Sequence, residues 1–211
     1  MASNAAQADN SFLSRARYPK GRRSLQLILD ATYDIVTTEG LAAASQEAIA
    51  RRANVTQSAV RHYFHTKEEL LLAFFTVGVE RFRNVLQEKL YEDVANAKTK
   101  LLGIIDAHVD WISQTEDVYY FESAGFWARN PNFSDLRENW YQELATYYRD
   151  LLQQIHPDWS RAECEATSFQ IVTLTLGTWT TIGATRPIQK KRSPKTLRKI
   201  VMAGVSKLIS A

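Results

Sequence analysis

Residues 45–70 read SQEAIARRANVTQSAVRHYFHTKEEL. Ser45 stands where a side-chain oxygen can cap a helix, and Glu47 follows in its first turn. Ala48, Ile49, Ala50 and Ala53 are small packing positions, which permit close approach of a second helix. A break falls at Asn54-Val55-Thr56. Thr56 is placed to cap a second short helix over about 57–63. Val60 and Phe64 are four residues apart and share its buried face, while Gln57, Ser58, Arg61 and His62 point elsewhere. Thr66 then resets the chain, and Lys67-Glu68-Glu69 opens a longer helix that runs to about Leu90.

Upstream, Leu25, Ile28, Leu29, Ala31, Thr32, Ile35 and Val36 recur at helical spacing, which predicts a helix over 22–38. Gly40 is placed to end it as a left-handed glycine does. Downstream, helical segments are expected at 97–114, 118–129, 135–155, 160–184 and 194–209. Pro131, Pro157, Pro187 and Pro194 fall at or near their boundaries. Ser160 and Glu163 have the spacing of a capping box. No strand alternation or internal repeat interrupts the pattern, so the expected fold class is all-α.

Two short helices joined by a tight turn, the second basic and polar, match a helix-turn-helix. Such a second helix can lie in the DNA major groove and present donors to base edges, while the first braces it. Charge agrees with this placement. The chain of 211 residues carries 26 basic and 23 acidic side chains, a formal +3. From Arg15 to Lys67, nine basic and four acidic residues give +5, whereas Glu80 to Thr185 carries nine and sixteen, giving −7. A basic end on an acidic body suggests that one end meets a polyanion; chance clustering on solvated surfaces is the alternative.

The stretches LILDATYDIVTTEG (27–40) and ASQEAIARRANVTQSAVRHYFHTKEELLLAF (44–74) resemble the DNA-binding region of the TetR/AcrR family of bacterial transcription regulators. The matching features are the opening helix ending at Gly40, Ser45 before the motif, the Ile49-Ala50 pair with Ala53, and the turn Asn54-Val55-Thr56. The His62-Tyr63-Phe64 ending, Lys67 and Leu70 complete them. Residues 1–21 are rich in Ala, Asn, Gln and Ser with Arg15, Arg17 and Lys20 at their end, and read as a flexible, partly basic arm that can lie along DNA, a frayed terminus being the alternative. The resemblance implies an N-terminal three-helix DNA-binding domain over 22–75. Its fourth helix leads onward to about 90. A larger C-terminal helical domain over 76–211 would bind a ligand and dimerise.

The resemblance also implies that Ser45, Gln57, Ser58, Arg61, His62, Tyr63 and Lys67 face or contact DNA. Tyr63 and Lys67 would take phosphates, and Gln57, Ser58 and Arg61 base edges; packing for Tyr63 and plain solvation for Lys67 are the alternatives. The recognition helix departs from the family's usual Gly-Thr and Leu-Tyr, reading Ser58-Ala59-Val60-Arg61. Arg61 stands where tyrosine is usual, and an arginine can grip guanine or phosphate in a bidentate way. The operator chemistry of relatives is therefore not transferable.

The C-terminal segment is rich in aromatic side chains. Trp111, Phe126, Trp127, Trp140, Tyr147 and Trp179 are candidate walls of an apolar ligand site, with ordinary core packing as the alternative for each. His108 and Asp110 are candidate polar anchors. Phe169, Val172, Thr173, Leu176 and Thr180 form one helical stripe, and Leu197, Val201, Val205 and Leu208 a second. By the resemblance, two such helices from each subunit make a homodimer interface. Two recognition helices need a two-fold, roughly palindromic site about one DNA turn apart. The basic run from Lys190 to Lys199 reads either as a solvated loop and helix face or as a contact for an anionic partner.

Enzyme signatures are missing: there is no HExxH, GxGxxG, GxSxG or Walker-type glycine loop. Cys164 is the single cysteine, and His62 and His65 lack further ligands for zinc, so no cofactor or metal is implied. No apolar run approaches a membrane span and no secretory core is present, which favours the cytoplasm. The expected function is a ligand-responsive repressor, released from a double-stranded operator by a small apolar or aromatic molecule. An activator, or a helical adaptor with nonspecific DNA binding, is the alternative.

Overall fold

In a computed structural model, residue 16 and residues 18–93, 96–115, 117–182 and 192–210 are described. Most of the N-terminal arm, Gly183, Pro187, Lys190 and Lys191 lie outside the described residues.

The described residues form nine α-helices and no strand. These are α1 (Pro19–Glu39), α2 (Gln46–Arg52), α3 (Gln57–Tyr63), α4 (Lys67–Tyr91), α5 (Ala97–Gln114), α6 (Asp117–Arg129), α7 (Pro131–Ile155), α8 (Arg161–Thr181) and α9 (Pro194–Ser210). The fold is all-α, an N-terminal helix-turn-helix followed by a larger set of helices. Helix α1 starts earlier than its apolar pattern suggests because Pro19 occupies its first turn, where a missing N–H costs nothing. Pro131 does the same for α7. The capping box of α8 is present: Ser160 Oγ accepts from the Glu163 N–H at 3.3 Å, and Glu163 Oε2 accepts from the Ser160 N–H at 2.7 Å. Gly40 has φ +86° as a terminating glycine should, but its ψ of 164° is extended rather than left-handed helical. That geometry is open essentially to glycine alone. It launches a short 3-10 turn, Leu41–Ala43, that the hydrophobic pattern did not reveal.

The chain divides into two compact units. The first contains Met1–Arg81 and Val118–Phe133. Its core is built from Leu25, Ile28, Ile35 and Val36 of α1, Ile49 of α2, Val60 and Phe64 beneath α3, and Leu70, Phe74 and Phe75 of α4. Phe126 and Phe133 close it, with ring centroids 4.9 and 5.7 Å from Phe75.

The second unit contains Phe82–Asp117 and Ser134–Ala211. Helix α5 packs on α8 and α9 there. Arg198 of α9 reaches Asp106 through Nε at 2.6 Å and also engages Asp110, clamping α9 to α5. The far end of α9 is tied by His156 Nε2, 2.6 Å from the Ile209 carbonyl, and by Lys98 Nζ, which donates to Ser210 Oγ at 3.1 Å.

The two expected stripes on α8 and α9 are partly internal. Val205 has no exposed surface and Val172 is buried, so both pack within the chain rather than on its surface. Leu176, Leu197, Val201 and Leu208 are half-buried. Phe169 is 71% exposed, and Thr173 and Thr180 lie with it on the outer face of α8. Trp179, also expected at a ligand wall, is turned to the buried face of that helix.

Candidate DNA-reading site

The site is assembled by caps and cross-links that hold α3 outward. Ser45 Oγ accepts from the Ala48 N–H at 3.1 Å and starts α2. The turn passes through Asn54, whose φ of 53° is left-handed, a conformation asparagine tolerates better than most residues. Thr56 Oγ1 then accepts from the Ala59 N–H at 3.1 Å and starts α3. Removing this cap from a seven-residue helix has a measurable cost. Thr56→Ala is expected to lower unfolding free energy by about 1 kcal/mol in urea titration, and an unchanged midpoint would show the cap to be redundant.

Two further bonds fix how α2 and α3 cross. Gln46 Nε2 donates to the Phe64 carbonyl at 2.7 Å, pinning the end of α3 to the start of α2. Arg52 at the end of α2 bridges Asp34 and Glu39 of α1. Val60 and Phe64, both fully buried, anchor α3 from below. Gln57, Ser58, Arg61 and His62 are thereby presented together on its exposed face. Within that set, Ser58 Oγ already lies 2.9 Å from Thr56 Oγ1.

Tyr63 and Lys67 are differently employed. Tyr63 is half-buried, and its hydroxyl donates to the Gly21 carbonyl at 3.3 Å. Lys67 Nζ donates to the Leu41 and Ala42 carbonyls, both at 3.1 Å, satisfying the 3-10 turn. One ammonium donor remains after those two bonds. The pattern missed the start of α1. Lys20 joins His62 and Tyr63 around a recess of about 550 Å³, and Arg22 and Arg23 are exposed on the same helical start. Their adjacency in sequence to Arg15 and Arg17 was the available signal.

The candidate ligand residues fall into separate clusters. Phe126 and Trp127 belong to the first unit, where Trp127 stacks on Phe133 at 5.4 Å. Trp111 and Trp140 belong to the second, both against Phe82, at 5.6 and 5.8 Å. Tyr147 donates to Glu143 Oε1 at 2.6 Å, and burial, reinforced by that carboxylate, pushes its hydroxyl up to about 12. Asp110, a candidate polar anchor, is taken up by Arg198 and by Gln114, which donates to it at 2.7 Å. No group of three or more metal-ligating side chains occurs among the described residues, and none of their helices is long and apolar enough to cross a membrane.

Residues 28–74, which include all of α2 and α3, match the family model described as bacterial regulatory proteins, tetR family. That segment is a TetR-family DNA-binding domain. The match supports a DNA-binding transcription regulator. Similarity to TetR-family relatives extends beyond the matched segment. The regulator BetI of Escherichia coli O17:K52:H18 is 24% identical over 153 residues, covering 72% of this chain and 78% of that protein. BetI of Paraburkholderia phytofirmans is 26% identical over 157 residues, covering 74% and 80%. The fold is also that of solved TetR structures. A TetR-family regulator from Streptomyces coelicolor has a TM-score of 0.72 at 15% identity, covering 98% of this chain and 94% of its own. One from Haloarcula marismortui has a TM-score of 0.72 at 17% identity, covering 89% and 96%.

Proposed function

We propose that this TetR-family chain is a repressor that binds a near-palindromic operator as a homodimer and is released by a small apolar effector. The observation that carries the DNA half is the α3 face: four exposed polar or basic side chains, Gln57, Ser58, Arg61 and His62, opposed by fully buried Val60 and Phe64. Arg61 supplies a guanidinium fork suited to a guanine edge. Lys67 and Tyr63 brace the reading head; Lys67 reaches phosphate with its remaining ammonium donor, Tyr63 does so by exchanging its bond to the Gly21 carbonyl, and Ser45 offers the first amides of α2. In this reading residues 22–75 read DNA and 76–211 sense and dimerise.

Helix α8 supports the dimer. From Ala166 to Ile182 it carries no charged residue. One side faces the chain's own core through Ile171, Val172 and Thr175, and the other presents Phe169, Thr173, Leu174 and Gly177. A helix without a charged face is ordinarily covered on all sides, and a second copy covers the outer side. Val172 and Val205 then act from beneath the interface rather than in it. An effector that binds one dimer conformation better than another lowers operator affinity by that difference alone.

The test is selection of bound fragments from random and genomic DNA at near-physiological salt, because counterion release lets any basic surface retain DNA. The expected result is an enriched near-palindrome. Arg61→Ala should weaken it by about 1–3 kcal/mol, with relaxed preference at one base position per half-site. Uniform retention of all sequences by both proteins would point to nonspecific association instead. Placing the recovered site before or across a promoter separates repression from activation.

A further inference from the structure

The core of the second unit holds polar groups that nothing among the described residues satisfies. Both ring nitrogens of His108, the Trp140 indole Nε1, the Tyr148 hydroxyl and the Arg83 Nε are buried and find no hydrogen-bond partner among the described residues. His108 and Tyr148 have no exposed surface and Trp140 is 4% exposed. Buried polar atoms in folded proteins are nearly always paired, so several in one region point to a partner from outside the chain.

His108, Trp140 and Arg83 lie together, and Tyr148 shares a helix face with Trp140. The His108 ring packs edge-on against Phe82 at 4.8 Å, Trp140 packs against the same ring at 5.8 Å, and Arg83 Cζ lies 5.4 Å from the Trp140 ring. Tyr148 follows Trp140 by eight residues on α7, with buried Leu144 between them, so the three share one helical face. Trp111 packs on Phe82 at 5.6 Å and also lines an open recess of about 630 Å³. Ring contacts thus run from Trp111 in the wall of that recess through Phe82 to His108 and Trp140.

We infer that this cluster reads an uncharged, apolar effector carrying an acceptor oxygen, such as a ketone, lactone or amide carbonyl, admitted from the recess past Trp111. The inference rests on the proposal that residues 76–211 bind an effector. Its content is the donor balance. Trp140 Nε1 and Arg83 Nε only donate, Tyr148 can donate, and a neutral imidazole donates once and accepts once. Burial lowers the His108 pKa to about 3, so the ring is neutral. Donors outnumber acceptors, which calls for an acceptor. Charge is already balanced: the Arg83 guanidinium pairs with Glu143, which also takes the Tyr147 hydroxyl, so no free ion waits for a counterion.

The experiment uses the full chain and three probes of similar size, benzylacetone, butylbenzene and phenylbutyrate, titrated against tryptophan fluorescence. Benzylacetone is expected to bind about tenfold tighter than the hydrocarbon, because a site that hydrogen-bonds an oxygen discriminates against its absence. It is also expected to bind tighter than the carboxylate. Tyr148→Phe keeps the ring and removes the hydroxyl; with it, the ketone-to-hydrocarbon ratio should fall to within about threefold. His108→Leu is the second variant, read by the same ratio should the first not fold. Equal affinity for ketone and hydrocarbon, tighter binding of phenylbutyrate, a ratio unchanged in both variants, or binding of none of the three would overturn the inference. Operator binding is measured on the same preparations. Arg61-dependent operator binding without ketone preference sinks this inference and leaves the regulator standing. Ketone preference without operator binding retains the site and removes the regulator.

Discussion

Phe64→Ala is expected to lower unfolding free energy by about 3–5 kcal/mol, the range for deleting a fully buried aromatic ring. Phe64 has no exposed surface, and it is the residue at which α3 stops and the chain turns extended, with φ −137° and ψ 110°. Its N–H donates to the Val60 carbonyl at 2.9 Å and its own carbonyl takes the Gln46 amide. The backbone at this point is therefore held from both sides while the ring fills the space under α3. Alanine leaves those bonds and empties the space, so the loss belongs to packing. A typical domain has about 5–15 kcal/mol in total, and the reading head should lose its fixed presentation with it. Urea unfolding followed by circular dichroism gives the first quantity and operator titration the second. Arg61→Ala provides the contrast. Arg61 is exposed, so Arg61→Ala should stay within about 0.5 kcal/mol of the parent while losing operator affinity. If Phe64→Ala unfolds within 1 kcal/mol of the parent by about the same criterion, the ring is not the support it is taken to be.

The parts of this structure that could be read from sequence are those set by neighbours in sequence. Val60 and Phe64 share a face by spacing, and Ser45, Thr56 and Ser160 cap helices three residues ahead, so α2, α3 and the start of α8 fell where the pattern put them. The roles of Tyr63 and Lys67 depended on distant partners. The Gly21 carbonyl is 42 residues from Tyr63, and the carbonyls that hold Lys67 belong to a 3-10 turn with no hydrophobic period of its own. Asp110 shows the same limit, since the arginine that claims it is 88 residues away on α9. On α8 the difficulty was different. Thr173, Thr175, Thr178 and Thr180 look alike in sequence, yet Thr175 and Thr178 are buried while Thr173 and Thr180 face outward. A helix apolar or small on every side gives spacing no contrast to work with, so the buried stripe and the outer stripe emerged only from burial.

His108 should make the protein acid-labile well above the range in which carboxylates titrate. Burial lowers its pKa in the folded chain to about 3, from an ordinary value of 6.5. Below pH 6.5 the unfolded chain takes up a proton that the folded chain refuses. The stabilisation is complete above pH 6.5 and is lost as pH falls from there toward about 3. Within that window the slope is about 1.4 kcal/mol per pH unit, so about 2 kcal/mol should disappear between pH 6.5 and 5, before most carboxylates respond. The size of the effect follows from where the ring sits: it is fully buried against Phe82, neither nitrogen has a partner among the described residues, and desolvation is the cause of the shift. Urea unfolding of the parent and of His108→Leu at a series of pH values between 7 and 5 isolates the contribution, because other groups titrate alike in both. The leucine variant should show the shallower dependence by about 2 kcal/mol over that interval. Parallel curves would mean that the imidazole charges inside the folded protein, either by gaining water or by meeting an acceptor. A ligand whose oxygen accepts from the neutral ring leaves the sign of the dependence unchanged and adds to stability at every pH in the window.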